Sequence, residues 1–244
     1  MLGALARGHA ADLSADQVAS ALAQASTEQP VSFDGKDLSD LELSRLDFRH
    51  ASLRGTNLFA SRLVSSNFTG TDLRAANLNG AWLMGADFTG ARLAGASLLS
   101  VVILGGAVKA MPIFKGADLH GTKMIADLPG ADLAGADLGE AHIGVDIRNQ
   151  GMGQMRTDLT GAHLSGANLA GADLNRSLLS FADLRRSNLR GANLFRVKLV
   201  GADLTGADVT GADFTEADLS DAILRDLTGL AQAKGLTAAE SPAR

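Results

Sequence analysis

The chain of 244 residues has no cysteine, no tyrosine, one tryptophan and four prolines. Without cysteine there can be no disulfide and no thiolate-held metal. Aromatic residues make up 4% of the chain, too few to fill irregular core space as a compact globule does. Ala, Leu and Gly carry the apolar content instead, which points to a core with a regular, repeated cross-section. No apolar run reaches the roughly 18 residues of a membrane span. The charge, 22 Lys plus Arg against 27 Asp plus Glu, lacks the clustered positive excess of a general nucleic-acid binder, so direct nucleic-acid binding is not expected. Dinucleotide, Walker and HExxH patterns are missing, and the five histidines are scattered. No nucleophile–base pair, cofactor or catalytic activity is expected.

What is present is a period. Apolar residues recur every fifth position through Phe33, Leu38, Leu43, Phe48, Leu53, Leu58, Leu63, Phe68, Leu73, Leu78, Leu83, Phe88, Leu93, Leu98, Ile103, Val108 and Ile113. A second run from Leu159 to Leu224 holds 14 such centres. Two residues before each centre of that run stands Ala, Ser or Thr, with Val197 the exception, and Asp or Asn directly precedes ten of them. The unit is clear in Ala167-Asn168-Leu169-Ala170-Gly171 and Ala202-Asp203-Leu204-Thr205-Gly206.

A period of five belongs to neither a helix nor a long strand. In a short extended unit, however, the small residue and the centre point to one side and the Asp or Asn to the other. The Gly then turns a corner. Four sides close a square coil of 20 residues, and coils stack through parallel backbone pairing about 4.8 Å apart with the right-handed sense of parallel crossovers. Phe48, Phe68 and Phe88, each 20 residues from the next, should then stack in successive coils. The Asp and Asn residues before the centres read as turn and surface hydrogen-bonders rather than catalytic acids.

Over about residues 31–225 the sequence resembles the pentapeptide-repeat family. The resemblance implies an all-β solenoid, a right-handed quadrilateral parallel β-helix. Such solenoids cap their ends, and residues 14–25 predict a short N-terminal capping helix. Ser14 with Gln17 forms a capping box, and Val18 and Leu22 an apolar stripe. The expected organisation is a tail and capping helix over 1–30, repeats over 31–225, and a C-terminal cap and tail over 226–244. Residues 228–236 are expected to form a short helix or irregular cap. Residues 1–11 combine an apolar stretch with the small-residue end of a secretory signal but lack its basic start. A periplasmic protein with a truncated signal and a cytoplasmic protein with a plain tail both fit.

The phase slips mid-chain, marking an irregular belt over about residues 104–157 with a bulge expected at 110–115 and a loop at 145–157. Departures from a repeat often map to a binding face. The loop residues Asp146, Arg148, Asn149, Gln150, Met152, Gln154, Met155 and Arg156 are therefore the candidate contacts for a protein partner of a non-catalytic scaffold. Met111, Met124, Met152 and Met155, with His120 and His142, offer soft ligands for Cu(I), or they are fillers of irregular core.

Charge is uneven along the chain. Residues 174–198 are basic, with Arg176, Arg185, Arg186, Arg190, Arg196 and Lys198, whereas 199–226 and 117–146 are acidic. Some pentapeptide-repeat proteins imitate DNA and bind DNA gyrase, protecting it from quinolones. The resemblance therefore implies gyrase binding as an alternative role, and a monomer or a homodimer joined at the C-terminal ends as alternative assemblies.

Overall fold

The computed structural model describes residues 11–103, 110–145 and 156–236, and shows a four-sided parallel solenoid. Each outward residue before a centre pairs in parallel with its counterpart one coil on: Asp37 with Asn57, Glu42 with Arg62, Asp47 with Asn67 and Ser52 with Asp72. These pairs define the first, second, third and fourth faces. Each regular repeat donates three backbone bonds to the neighbouring coils, from the residue before the centre, from the centre and from the corner residue, as Asn57, Leu58 and Ala60 do. The Leu38 amide donates to the Asn57 carbonyl at 2.8 Å, and the Asn57 amide donates to the Lys36 carbonyl at 2.9 Å. At the corners the chain closes tight turns, as where the Thr56 amide donates to Leu53 O across Gly55 at φ 62°. A positive φ at the third turn position suits glycine. Each side is so short that most of the pairing is by single bridges. Among the described residues, extended runs occur only at β1 (Val31–Ser32) with β2 (Ala51–Ser52), and at β3 (Ser97–Val101) with β4 (Lys123–Ala126).

The repeat centres and the small residues two before them form one continuous core along the axis. Phe48, Phe68 and Phe88 stack at 4.5 and 4.8 Å between ring centroids, as their spacing of 20 predicts. The stack goes on to Phe114, 5.1 Å from Phe88. This corrects the expected phase. Ile113 is not an interior centre but an outward residue, 38% exposed and paired with Asp87, while Phe114 fills the core. The ring stack is better satisfied by a phenyl than by a continued count of five. Val108 lies outside the described residues.

Where a hydroxyl replaces the small Ala it bonds to a carbonyl, as Thr56 does to Phe33 O and Ser66 to Leu43 O. Ser187 Oγ is the one buried side-chain polar atom without a partner among the described residues. The N-terminal end is covered by α1 (Ala15–Gln24), with the reciprocal Ser14–Gln17 capping box in place and Val18 fully buried. At the other end a single 3₁₀ turn, Leu230–Gln232, precedes a last bridge from Lys234 to Asp213.

Two substitutions test this packing by denaturant unfolding. Phe68→Ala removes the middle of the ring stack and should cost about 3–5 kcal/mol. Ser187→Ala removes an unsatisfied buried hydroxyl and should be neutral or stabilise by up to about 1–3 kcal/mol; a clear loss would show that Ser187 has a partner in solution.

Candidate functional site

The repeat sets a spacing of five residues between outward positions on successive faces, and within the body of the solenoid the structure locates three departures from it; one extra residue also lies at the C-terminal cap, between Thr228 and Lys234. Val102 on the second face and Ile113 on the third are 11 residues apart. Lys123 on the first face and Asp127 on the second are four apart, and His142 on the first and Asp158 on the second are 16 apart. The two insertions therefore carry six and 11 residues beyond the repeat, on either side of one deletion. All three departures touch the second face, and they fall in three successive coils, a height of about 10 Å.

Local pairing shows how the core absorbs them. β3 runs through the corner between the first and second faces, and β4 crosses the same corner one residue shorter. Ser100, at φ 54°, is the residue left over where the register shifts between Leu99 and Val101. At the return of the second insertion, Thr157 is buried and its single hydroxyl proton is shared between Ile143 O at 2.8 Å and Met124 O at 3.1 Å. On the second face just before the first insertion, the lone Trp82 carries the Arg62 guanidinium 4.5 Å above its ring.

Most of the sequence-predicted contact residues, Asp146, Arg148, Asn149, Gln150, Met152, Gln154 and Met155, lie outside the described residues. Arg156 is described and exposed. The bulge expected at 110–115 lies earlier. Ile113 and Phe114 are already in register, so the extra residues fall between Val102 and Ile113. Of the soft-ligand candidates, Met124 is a core centre 1% exposed, and Met111 packs on the core. His120 and His142 face outward, so these sulfurs and imidazoles do not converge. Among the described residues no three His, Asp or Glu side chains are grouped to hold a metal ion.

Electrostatics also changes on stacking. The basic and acidic stretches of the C-terminal half lie one coil apart and neutralise each other. Arg190 pairs with Asp208 at 3.1 Å, Arg196 with Glu216 at 2.7 Å and Lys198 with Asp218 at 2.9 Å. Arg185 bonds Asp183 at 2.7 Å and reaches Asp203 at 3.8 Å. The belt differs. Among the described residues no ion pair involves any residue between Leu93 and Ala182. There Asp118, Asp127, Asp132, Asp137, Glu140, Asp158 and Asp173 outnumber Lys115, Lys123, Arg156 and Arg176. Sequence reading found the acidic stretches but missed this contrast, because pairing at a separation of about 20 appears only once the coil length is applied to the charges. The Asp and Asn residues before the centres mostly accept from the backbone amide two residues on, as Asp132 does from Ala134, which is the local turn chemistry of these side chains.

The repeats that build this scaffold match the pentapeptide-repeat family model in eight copies, over residues 53–90, 66–98, 155–191 and 192–226. The chain is 30% identical to HetL, a pentapeptide repeat protein involved in heterocyst differentiation regulation in the cyanobacterium Nostoc sp. strain PCC 7120, across 83% of this chain and 88% of HetL, with a TM-score of 0.48. The chain belongs to the pentapeptide-repeat family. It is also similar to Rfr23 from the cyanobacterium Cyanothece 51142, at 29% identity over 43% of this chain and 63% of Rfr23, with a TM-score of 0.37. QnrB1, a plasmid-mediated fluoroquinolone resistance protein, is 19% identical over 86% of this chain and 92% of its own, with a TM-score of 0.32. No curated protein matches the chain.

The ion pairs of this pentapeptide-repeat protein give its acid response a definite sign. Arg74 holds the Asp72 carboxyl below its usual range by hydrogen bonding, and Arg185 does the same for Asp183. Lys198 and then Ser220 bring Asp218 down to about 2. Carboxyls depressed in the folded state stabilise it above their unfolded pKa and lose that contribution as pH falls through the folded value. The melting temperature should therefore be level from about pH 7 to 5 and drop below about pH 4. In Lys198→Met the share of that drop due to Asp218 should shrink; an unchanged acid limb would remove Asp218 from this account.

Proposed function

We propose that the protein is a non-catalytic interaction scaffold that holds a protein partner at the irregular belt. One observation carries this reading: both insertions and the deletion fall in the same three coils, where the carboxylates have no ion-pair partner among the described residues, while every ion pair lies in the coils on either side. A scaffold needs only regular coils to fold, so three departures set around one face are read as the place where the surface was shaped for contact. The surplus of carboxylates favours a partner that is basic where it meets the belt.

The coil arithmetic supplies the test. Deleting residues 146–156 leaves Gly144 and Val145 followed by Thr157 and Asp158, which restores the spacing of five. The shortened protein should fold with stability within about 1 kcal/mol of the parent, because loop length alone changes closure entropy slowly. It should lose partners that the parent cross-links and retains in quantitative pull-downs. Equal partner recovery by both proteins would refute the belt as the contact site.

A second reading, binding to DNA gyrase as a DNA mimic, draws on the same bare carboxylates, including Asp118 stacked on Asp137 along the fourth face. The acids of residues 199–226 give it less support, because five of them are matched by cations. A supercoiling assay decides it: gyrase activity unaffected at micromolar protein removes this reading.

A further inference from the structure

We propose that the groove beneath the segment linking α1 to the first coil is a binding site for a phosphate-type oxyanion. The groove holds about 310 Å³ and is lined by Thr27 of the linker, by Arg49, His50 and Ser52 of the first coil, and by Arg92 two coils further on. Gly70 forms part of its wall, and a Cβ placed there would meet nothing within 4 Å, so the space beside it is open.

Asp72 also lines the groove, and the charge pattern around it is unusual for this molecule. Three guanidiniums, Arg54, Arg74 and Arg92, gather around the single carboxylate of Asp72, whose side chain is only 8% exposed. Arg74 already saturates it, with Nε to Oδ1 at 2.9 Å, Nη2 to Oδ2 at 2.6 Å and its own backbone amide on Oδ1. Arg92 reaches the same Oδ2 through one Nη2 contact of 3.3 Å and has no other carboxylate within 4.0 Å among the described residues. Its remaining donors are free for a ligand, and its side chain is 54% exposed. Arg49 binds Asp47 through Nε and Nη2, leaving Nη1 over.

The other acids nearby have partners of their own. Asp34 accepts from Ser52 Oγ and the Arg54 amide, and Glu28 accepts from Ser26 Oγ. A tetrahedral oxyanion in the groove would take charge-assisted hydrogen bonds from Arg92 and Arg49 and further ones from the His50 ring and the Thr27 hydroxyl, the donor set that suits phosphate. Because Thr27 belongs to the linker, the bound anion would also tie the N-terminal cap to the first coils.

The test is calorimetric titration of the full chain with inorganic phosphate, with chloride holding ionic strength constant. Saturable binding at one site is expected. Arg92→Gln should weaken it about tenfold or more, the loss of a charge-assisted hydrogen bond. Arg49→Gln should do likewise, and it decides the matter should Arg92→Gln fail to fold. Arg45→Gln, at an exposed corner outside the groove, should bind like the parent. Glycerol phosphate binding as tightly as phosphate would show that the groove accepts monoesters, whereas binding of inorganic phosphate alone would restrict it to the free ion. Heat indistinguishable from chloride dilution, or undiminished affinity in Arg92→Gln and Arg49→Gln, would overturn the proposal.

Discussion

Everything in this protein depends on a backbone register that returns to the same face every 20 residues. The parallel bonds between coils, such as Leu164 N to Asp183 O and Asp183 N to Ala162 O, hold only while each centre lies above the centre of the coil before. Burial of the Leu and Phe interior then follows without any further choice of packing, because each side chain meets its own kind above and below. That is why a core with few aromatics and much alanine suffices: the cross-section is small and constant, and a small residue beside each centre is what lets four sides close around it. Coils contact only their neighbours, so stability accumulates along the axis rather than around a single centre.

The same register turns sequence distance into surface chemistry. Residues 18 or 20 apart become partners, and a basic stretch followed by an acidic one becomes a set of ion pairs rather than two opposed patches. Most of those pairs are solvent-exposed, and each contributes little to stability. Their larger effect is on the field around the protein. They quiet the charge of the C-terminal half and leave the belt as the region with uncompensated carboxylates.

The architecture was legible in the sequence because the repeat writes it many times over. The coil length followed from Phe48, Phe68 and Phe88, and the capping helix from Ser14, Gln17 and Val18. The place of the irregularities was legible too, but their geometry was not. Counting by fives carried the interior through Ile113, whereas the core takes Phe114, since a count has no knowledge of which side chain best continues a stack of rings. That all three departures surround the second face could be seen only after residues were assigned to faces. The groove beside Arg92 had no sequence signal at all. Its residues come from the linker and three coils, which only the 20-residue register brings together.

The stacked pair of Arg62 and Trp82 has a practical consequence. The chain has no tyrosine and one indole, and that indole sits on the second face, paired with Val102 where the first insertion departs. Its emission is therefore a built-in optical probe of the belt, free of overlapping signals and needing no label. A molecule settling on that face, or a shift of the guanidinium away from the ring, would alter the intensity and colour of its fluorescence, while events at the far C-terminal coils would leave it dark to change.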